Sequence, residues 1–231
     1  MHTKYHLKCI DSKYKIIIWA FILVIIQYSC AVTMPIEKGV FRKSDLVELI
    51  KFDSTIKLDI RYATSNNFIG KAVYPEARAF LQREAAQALV RVNAKMKKYG
   101  YGIVVYDGYR PWSITKLFWQ VTPKSKRIYV ANPKEGSKHN RGCAVDVSLY
   151  RCSTGEPVNM ISEFDDMSEH AHVDFKGGTT DQQKLRDLLI ATMQDEGFTV
   201  LPNEWWHFDY NGWKQYPISD IPFSALQLPS S

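Results

Sequence analysis

The sequence is poor in cysteine, which argues against both a disulfide framework and a cysteine-based zinc site. Only four cysteines occur in 231 residues, and no two of them have the C-x-x-C spacing typical of thiolate zinc ligands. Cys143 and Cys152 lie at opposite ends of a predicted strand, about 30 Å apart if that segment is extended. A disulfide requires Cα atoms within about 7 Å. We therefore expect no structural disulfide.

The sequence also lacks an extended basic region, an internal repeat and a low-complexity stretch. Its formal net charge is +6, and half of that charge belongs to the first 31 residues. The remaining charge is too small and too dispersed for a nucleic-acid-binding surface, so we expect no nucleic-acid partner. Hydrophobic residues make up 45% and charged residues 23% of the chain, which is typical of a globular protein. No heptad pattern indicates an oligomeric state.

The main apolar run, IIIWAFILVII at residues 16–26, is short for a membrane span, which needs about 20 residues. Lysines precede the run and small residues follow it, as in a signal peptide. We predict that residues 1–31 are a signal peptide cleaved after Ala31, and that residues 32–231 form an exported domain in the periplasm or cell envelope. An uncleaved anchor and a lipidated Cys30 remain as alternatives, and in both the N-terminal segment is the only membrane contact.

The apolar pattern predicts a single α+β domain with a central antiparallel sheet flanked by helices. Helices are predicted over residues 83–98, 111–121 and 181–198. Strands are predicted in the segments YGIVVYD, CAVDVSLYR and WWHFDY and in the region DLVELIKFDSTIKLDIRY.

Two segments about sixty residues apart carry histidines and carboxylates that suit a metal ion. GSKHNRGCAVDVSL contains His139 and Asp146, and NEWWHFDY contains His207. Catalytic zinc takes three such donors and leaves a position for water. A spacing of seven places His139 and Asp146 on opposite faces of an unbroken strand, so the hypothesis needs a bend at Arg141-Gly142. The alternative is two ordinary strands with polar ends.

Two further residues are candidates for the chemistry of such a site. Glu204 precedes His207 by three residues and is a candidate base for a metal-activated water, if the backbone turns there. The alternative is a solvent-facing glutamate beside core tryptophans. Arg110 is held in an extended conformation by Pro111 and is a candidate oxyanion stabiliser. The alternative is a surface group or a structural salt bridge.

The motif S-x-H-x-x-G-x-A-x-D at residues 137–146, followed by E-x-W-H at residues 204–207, resembles the zinc DD-peptidases. The segments LDIRYATSNNFIG, VYDGYRP, FDDMSEHAH and EWWHF resemble in particular the D-alanyl-D-alanine dipeptidases of the VanX type. The resemblance extends from about Lys57 to about Tyr216. It implies a zinc DD-peptidase or hedgehog-like fold, one zinc ion per chain, and hydrolysis of D-Ala-D-Ala in cell-wall peptide turnover or glycopeptide resistance.

The resemblance also implies a role for each of seven residues. The implied zinc ligands are His139, Asp146 and His207. Glu204 is implied as the general base and then the acid that protonates the leaving amine, and Arg110 as the residue that stabilises the tetrahedral intermediate. Ser137 and Asp165 are implied to bind the substrate's ammonium group, so that Asp165 selects a free dipeptide.

The chain departs from the dipeptidases it resembles in three respects, of which the predicted export segment is the largest because some of those proteins act in the cytoplasm. Two other functions compete with the dipeptidase. His170 follows MSE where relatives often carry arginine, and Cys143 lies inside the zinc motif; neither is a ligand position, and we expect His170 and His172 to be structural. The nearest competing function is a peptidoglycan DD-carboxypeptidase or endopeptidase with the same zinc site. A non-catalytic wall-binding module is the other, and it has no need of Glu204.

Overall fold

Seven strands occur in the part of the chain that this computed structural model describes, residues 32–226. They are β1 (Leu46–Glu48), β2 (Lys57–Leu58), β3 (Phe80–Gln82), β4 (Tyr101–Asp107), β5 (Ala144–Arg151), β6 (Phe198–Leu201) and β7 (Glu204–Tyr210). Five of them form one sheet in the order β2-β4-β5-β7-β6, and β1 pairs separately with β3. The pair β2–β4 is parallel, whereas the other pairs are antiparallel.

The described residues contain three α-helices, and the starts of two of them follow from the local sequence. They are α1 (Arg83–Lys97), α2 (Trp112–Val121) and α3 (Thr180–Asp195). Pro111 precedes α2 with a φ of −53°, a value suited to helix entry. Thr179 and Gln182 form a reciprocal capping box at the start of α3. Helix α1 packs against β4, and α3 packs against β6 and α1, which covers the apolar core.

The predicted α+β class with a central sheet is confirmed, and two details differ. The edge strand β2 runs parallel to β4, so the sheet is not wholly antiparallel. The region at residues 45–62 is mostly turns and 3-10 segments rather than a strand, because β2 pairs with β4 over only two residues. Ile56 and Ile60 are nevertheless buried. The alternation of apolar residues at positions 56–60 therefore predicted correctly which residues are buried, but not the length of the strand.

The strand β5 separates the two cysteines of the described chain. Cys143 precedes β5 and Cys152 follows it, as predicted, and both are free thiols. The predicted signal peptide, with its two cysteines, lies outside the described residues. Within residues 32–226, no helix combines the length and the apolar character needed to cross a membrane.

Candidate active site

Three neighbouring strands align polar side chains in one row across the sheet. Asp107 of β4 lies opposite Asp146 of β5, which lies opposite His207 of β7. Directly paired residues project from the same face of a sheet, so these three side chains converge. The register shifts between Val105 and Asp107, and this bulge turns Asp107 to the face that Asp146 occupies.

The remaining histidine of the motif reaches this row through a turn just before β5. His139–Arg141 is a 3-10 turn that ends at Gly142, whose φ of 66° is left-handed. A Cβ atom at Gly142 would lie 2.3 Å from Cδ2 of Leu46, so space as well as backbone conformation requires glycine. The bend that the metal hypothesis needs is therefore present at the expected place.

The three donor atoms form a compact triangle. Nε2 of His139 lies 3.1 Å from Nδ1 of His207 and 3.4 Å from Oδ1 of Asp146. Nδ1 of His207 lies 3.0 Å from the same Oδ1 of Asp146. Donors at zinc distances of about 2.0–2.1 Å in a tetrahedron are separated by roughly 3.3 Å, so the arrangement fits such an ion. Burial opposes the charge of Asp146, but the two imidazoles hold its pKa below the usual value. Asp146 therefore offers an anionic oxygen.

Each imidazole is anchored on the side that faces away from the triangle. His139 donates from Nδ1 to the carbonyl oxygen of Gly108 at 2.7 Å. His207 lies with Nε2 2.9 Å from Oδ1 of Asp209. Since carbonyl and carboxylate oxygens accept hydrogen bonds, these contacts hold a ring proton on each outward nitrogen, so the inward nitrogens are the ones available to a metal. Both rings are thus arranged as metal ligands.

Glu204 lies beside the triangle because β7 is irregular at its start. Leu201 pairs with Glu204 while Val200 pairs with Phe208, so residues between Glu204 and Phe208 bulge out of the ladder. This is the backbone turn that the sequence argument required, and it brings Oε2 of Glu204 to 3.8 Å from Nδ1 of His207. Burial raises the pKa of Glu204 to about 8, although His207 opposes the shift.

Arg110 is buried, and a carboxylate fixes the plane of its guanidinium group. Its Nε and Nη2 atoms lie 2.9 and 2.7 Å from Oδ2 of Asp107. The guanidinium carbon is 4.6 Å from the ring centre of Phe118, and Nη2 is 3.8 Å from Oδ2 of Asp146. Burial by itself lowers the pKa of Arg110, but the negative charge of Asp107 and other neighbouring groups raise it well above its ordinary value. Arg110 is neither a surface group nor a salt bridge remote from the site.

Asp165 occupies the other end of the same space. Its Oδ1 atom accepts a hydrogen bond from the Tyr62 hydroxyl at 2.9 Å, and its φ of 64° is left-handed. Burial raises the pKa of Asp165 to about 7, against the effect of the Tyr62 hydrogen bond. Ser137 is also buried, and its Oγ accepts a hydrogen bond from the backbone N–H of His139.

All seven sequence-predicted site residues line one cavity of about 270 Å³. This volume is below the range of about 300–1,000 Å³ typical of pockets for drug-sized ligands, so the cavity suits a small substrate. Apolar and aromatic walls complete it, among them Phe68, Phe118, Ile128, Tyr129 and Trp206.

The two other histidines of the described chain lie outside the donor triangle. His172 contacts the Tyr129 hydroxyl at 3.3 Å, and His170 is exposed near Asp166. The sequence argument missed three supporting residues, Tyr62, Asp107 and Asp209. Tyr62 and Asp107 lie inside the quoted segments LDIRYATSNNFIG and VYDGYRP, and Asp209 lies two residues after His207. A search for polar residues near each motif residue in the sequence could have found Asp107 and Asp209, but not Tyr62.

A three-donor metal site with a half-buried carboxylate beside it is the arrangement of a metal-dependent hydrolase. The model of the D-ala-D-ala dipeptidase family matches residues 42–223, and the chain belongs to this family. It is therefore a metallopeptidase, and the family and the donor triangle together imply a metal cofactor.

Two relatives identified by sequence agree with this family. The chain is 33% identical over 188 residues to a D-alanyl-D-alanine dipeptidase of Escherichia coli (strain K12), which covers 81% of this chain and 96% of that protein. It is 34% identical over 186 residues to a D-alanyl-D-alanine dipeptidase of Enterococcus faecium, and the match covers 73% of this chain and 92% of that protein. A solved vancomycin resistance D,D-dipeptidase, VanXYg, in complex with a D-Ala-D-Ala phosphinate analog is similar at 20% identity and a TM-score of 0.40, covering 73% of this chain and 67% of that chain.

Proposed function

We propose that this protein hydrolyses D-alanyl-D-alanine to two molecules of D-alanine, using one zinc ion per chain. The observation that carries the proposal is one small cavity in which the donor triangle, Glu204 and Asp165 meet. The similarity to D-alanyl-D-alanine dipeptidases over nearly their whole length supports the substrate.

The metal is held by His139, Asp146 and His207. Two neutral imidazole nitrogens and one carboxylate oxygen suit zinc, and among the described residues this is the only group of three such donors. When bound, zinc supplies Lewis-acid polarisation of the peptide carbonyl and lowers the pKa of a water molecule.

Glu204 handles the protons of the reaction. It lies within the cavity beside His207, so it takes a proton from the attacking water and later gives it to the leaving amine. Burial raises the pKa of metal-free Glu204 to about 8, which brings it closer to the working pH, where a general acid–base group is most effective.

Arg110 stabilises the negative charge that develops on the carbonyl oxygen. The double contact with Asp107 holds the guanidinium group in place before the substrate arrives. A donor that is already oriented needs little reorganisation as charge develops, and the buried surroundings strengthen its effect.

Asp165 and Ser137 bind the substrate's ammonium group. Asp165 is half-buried beside aromatic residues and has no cationic partner within salt-bridge distance in the described chain, so a bound ammonium group would compensate its charge. The hydroxyl of Ser137 offers a further acceptor on the cavity wall. This arrangement selects a free N-terminus and favours a dipeptidase over a carboxypeptidase or endopeptidase.

A substrate pair tests the proposal directly. Purified zinc-loaded protein should release D-alanine from D-Ala-D-Ala and act at least about a hundredfold more slowly on the N-acetylated dipeptide, because loss of a buried charge pair costs several kcal/mol. Equal cleavage of both would favour the competing carboxypeptidase or endopeptidase. Failure to release D-alanine with zinc present would favour the wall-binding module.

We also propose that residues 32–231 act outside the cytoplasm after export by residues 1–31, in cell-wall peptide turnover or in glycopeptide resistance. The lysine-flanked apolar run supports export. Mass analysis of the protein recovered from the envelope fraction should show an N-terminus at Val32. A lipid-modified Cys30 or an intact N-terminus would instead identify the lipoprotein or the anchor.

A further inference from the structure

We infer that Asp209 is a positioning residue that fixes the tautomer and the orientation of His207 as a metal ligand. The inference rests on the proposed metal site and assigns a role to a carboxylate that the proposed reaction does not use. Oδ1 of Asp209 lies 2.9 Å from Nε2 of His207, on the side of the ring opposite the donor triangle. Asp209 is not one of the three donors themselves.

The backbone holds Asp209 in place from both sides. Asp209 lies two residues after His207 in β7, so both side chains project from the same face of the sheet. Its backbone pairs with Ala144 of β5 and with Thr199 of β6, which makes β7 an inner strand at this position. The carboxylate therefore starts from a rigid Cα position.

A lysine fixes the second oxygen of the same carboxylate. Nζ of Lys138 lies 3.3 Å from Oδ2 of Asp209 and 5.4 Å from the ring centre of Trp213. With Oδ2 facing Lys138, Oδ1 is directed at His207. The side chain of Asp209 is only 13% exposed, so water competes weakly for these contacts.

This contact decides which nitrogen of His207 can bind a metal. A neutral imidazole carries one proton, and the nitrogen without it is the ligand. A carboxylate facing Nε2 retains the proton there and leaves the lone pair of Nδ1 directed at Asp146 and His139. Without Asp209, His207 loses this tautomer preference and the contact that prevents the ring from rotating.

The other imidazole provides an internal comparison. His139 is anchored by the backbone carbonyl of Gly108, which side-chain substitution does not remove. Replacing Asp209 therefore weakens one ligand of the triangle and leaves the anchor of the other intact. The expected result is weaker metal binding rather than its complete loss.

The test is zinc affinity, measured by competition with a chromophoric chelator on the full chain. Asp209→Ala should weaken zinc binding by about 10–100-fold, the usual effect of removing an outer partner of a metal-bound histidine. Asp209→Asn should have a smaller effect in the same direction, because its amide oxygen still accepts from Nε2. Asp195→Asn, on a side chain that is 71% exposed at the end of α3, is the matched control and should stay within about twofold of wild type.

Circular dichroism of the metal-free proteins should be superimposable, which separates a positioning effect from misfolding. A zinc affinity within twofold of wild type for a folded Asp209→Ala variant would overturn the inference while leaving the proposed function intact. Wild-type protein that binds no zinc, or whose zinc binding is unchanged by His139→Ala, would overturn the proposed metal site itself.

Discussion

Replacing Asp165 with asparagine removes the charge of the proposed ammonium site with minimal change of shape. Asparagine tolerates the left-handed φ of 64° that this position has. Its amide oxygen can still accept the hydrogen bond that the Tyr62 hydroxyl donates to Oδ1. We therefore expect Asp165→Asn to fold normally and to lose only its pairing with the substrate's charged amine.

The size of the loss in kcat/KM follows from the position of Asp165, which is half-buried in the cavity wall. Truncating one partner of a buried, hydrogen-bonded charge pair costs about 2–4 kcal/mol when the remaining group keeps a polar contact. That cost corresponds to a decrease of roughly 30- to 1,000-fold in kcat/KM for D-Ala-D-Ala. The N-acetylated dipeptide has no ammonium group, so its kcat/KM should change by less than about threefold.

The assay is D-alanine release at pH 8, where the carboxyl group of Asp165, with a pKa of about 7, is mostly ionised. Asp166→Asn is the matched control, because this neighbouring carboxylate does not line the cavity. The ratio of kcat/KM between free and N-acetylated dipeptide should fall sharply only in Asp165→Asn. An unchanged ratio in that variant would refute the assignment of Asp165 as the ammonium site.

Three further predictions concern the metal and the turn before β5. Glu204→Gln should still contain zinc by metal analysis, but its kcat should fall at least about a hundredfold, since a positioned base contributes about 10²–10⁴-fold to the rate. Near-normal turnover would exclude the proposed role of Glu204. Burial lowers the pKa of metal-free His207, but hydrogen bonds to Asp146 and Asp209 have the larger effect and raise the pKa to about 10. Zinc must therefore displace a proton from His207 in order to bind. Apparent zinc affinity should therefore weaken about tenfold per pH unit as the pH falls from 9 to 6, and a flat profile in chelator competition would contradict this. Gly142→Ala should lower the free energy of unfolding of the metal-free protein in urea by about 1–3 kcal/mol. The loss should be smaller for Gly100→Ala, because a Cβ atom at Gly100 meets nothing within 4 Å. Equal losses would show that the contact with Leu46 is unimportant.

The three candidate metal ligands were accessible from the sequence because their chemistry and their spacing both constrain the fold. His139 and Asp146 could act together only if the chain bends at Gly142, and the residue type itself indicates that bend. Glu204 likewise required a turn before His207, but no glycine or proline lies between these two residues to indicate it. Pro202 and Asn203 do indicate the hairpin between β6 and β7, whereas the bulge itself is visible only in the register of the two strands.

The residues that support the site were not accessible in the same way. Asp107 holds Arg110, but the spacing along β4 alone places Asp107 on the core-facing side with Val105. Only the register shift against β5 turns it towards Asp146. Tyr62 meets Asp165 across about a hundred residues of chain, and no local pattern indicates that contact.

By itself, the sequence determined the class of fold, the three metal donors and the acidic group beside them, because residue chemistry and short-range spacing restrict those choices strongly. The tertiary structure alone decided how the donors are oriented and how large the cavity is. The approach of His139 to His207, the alignment of Asp107 with Asp146 and the contact between Tyr62 and Asp165 depend on partners that are far apart in the chain. Such partners are specified by sheet register and packing, and neither is a property of any single segment.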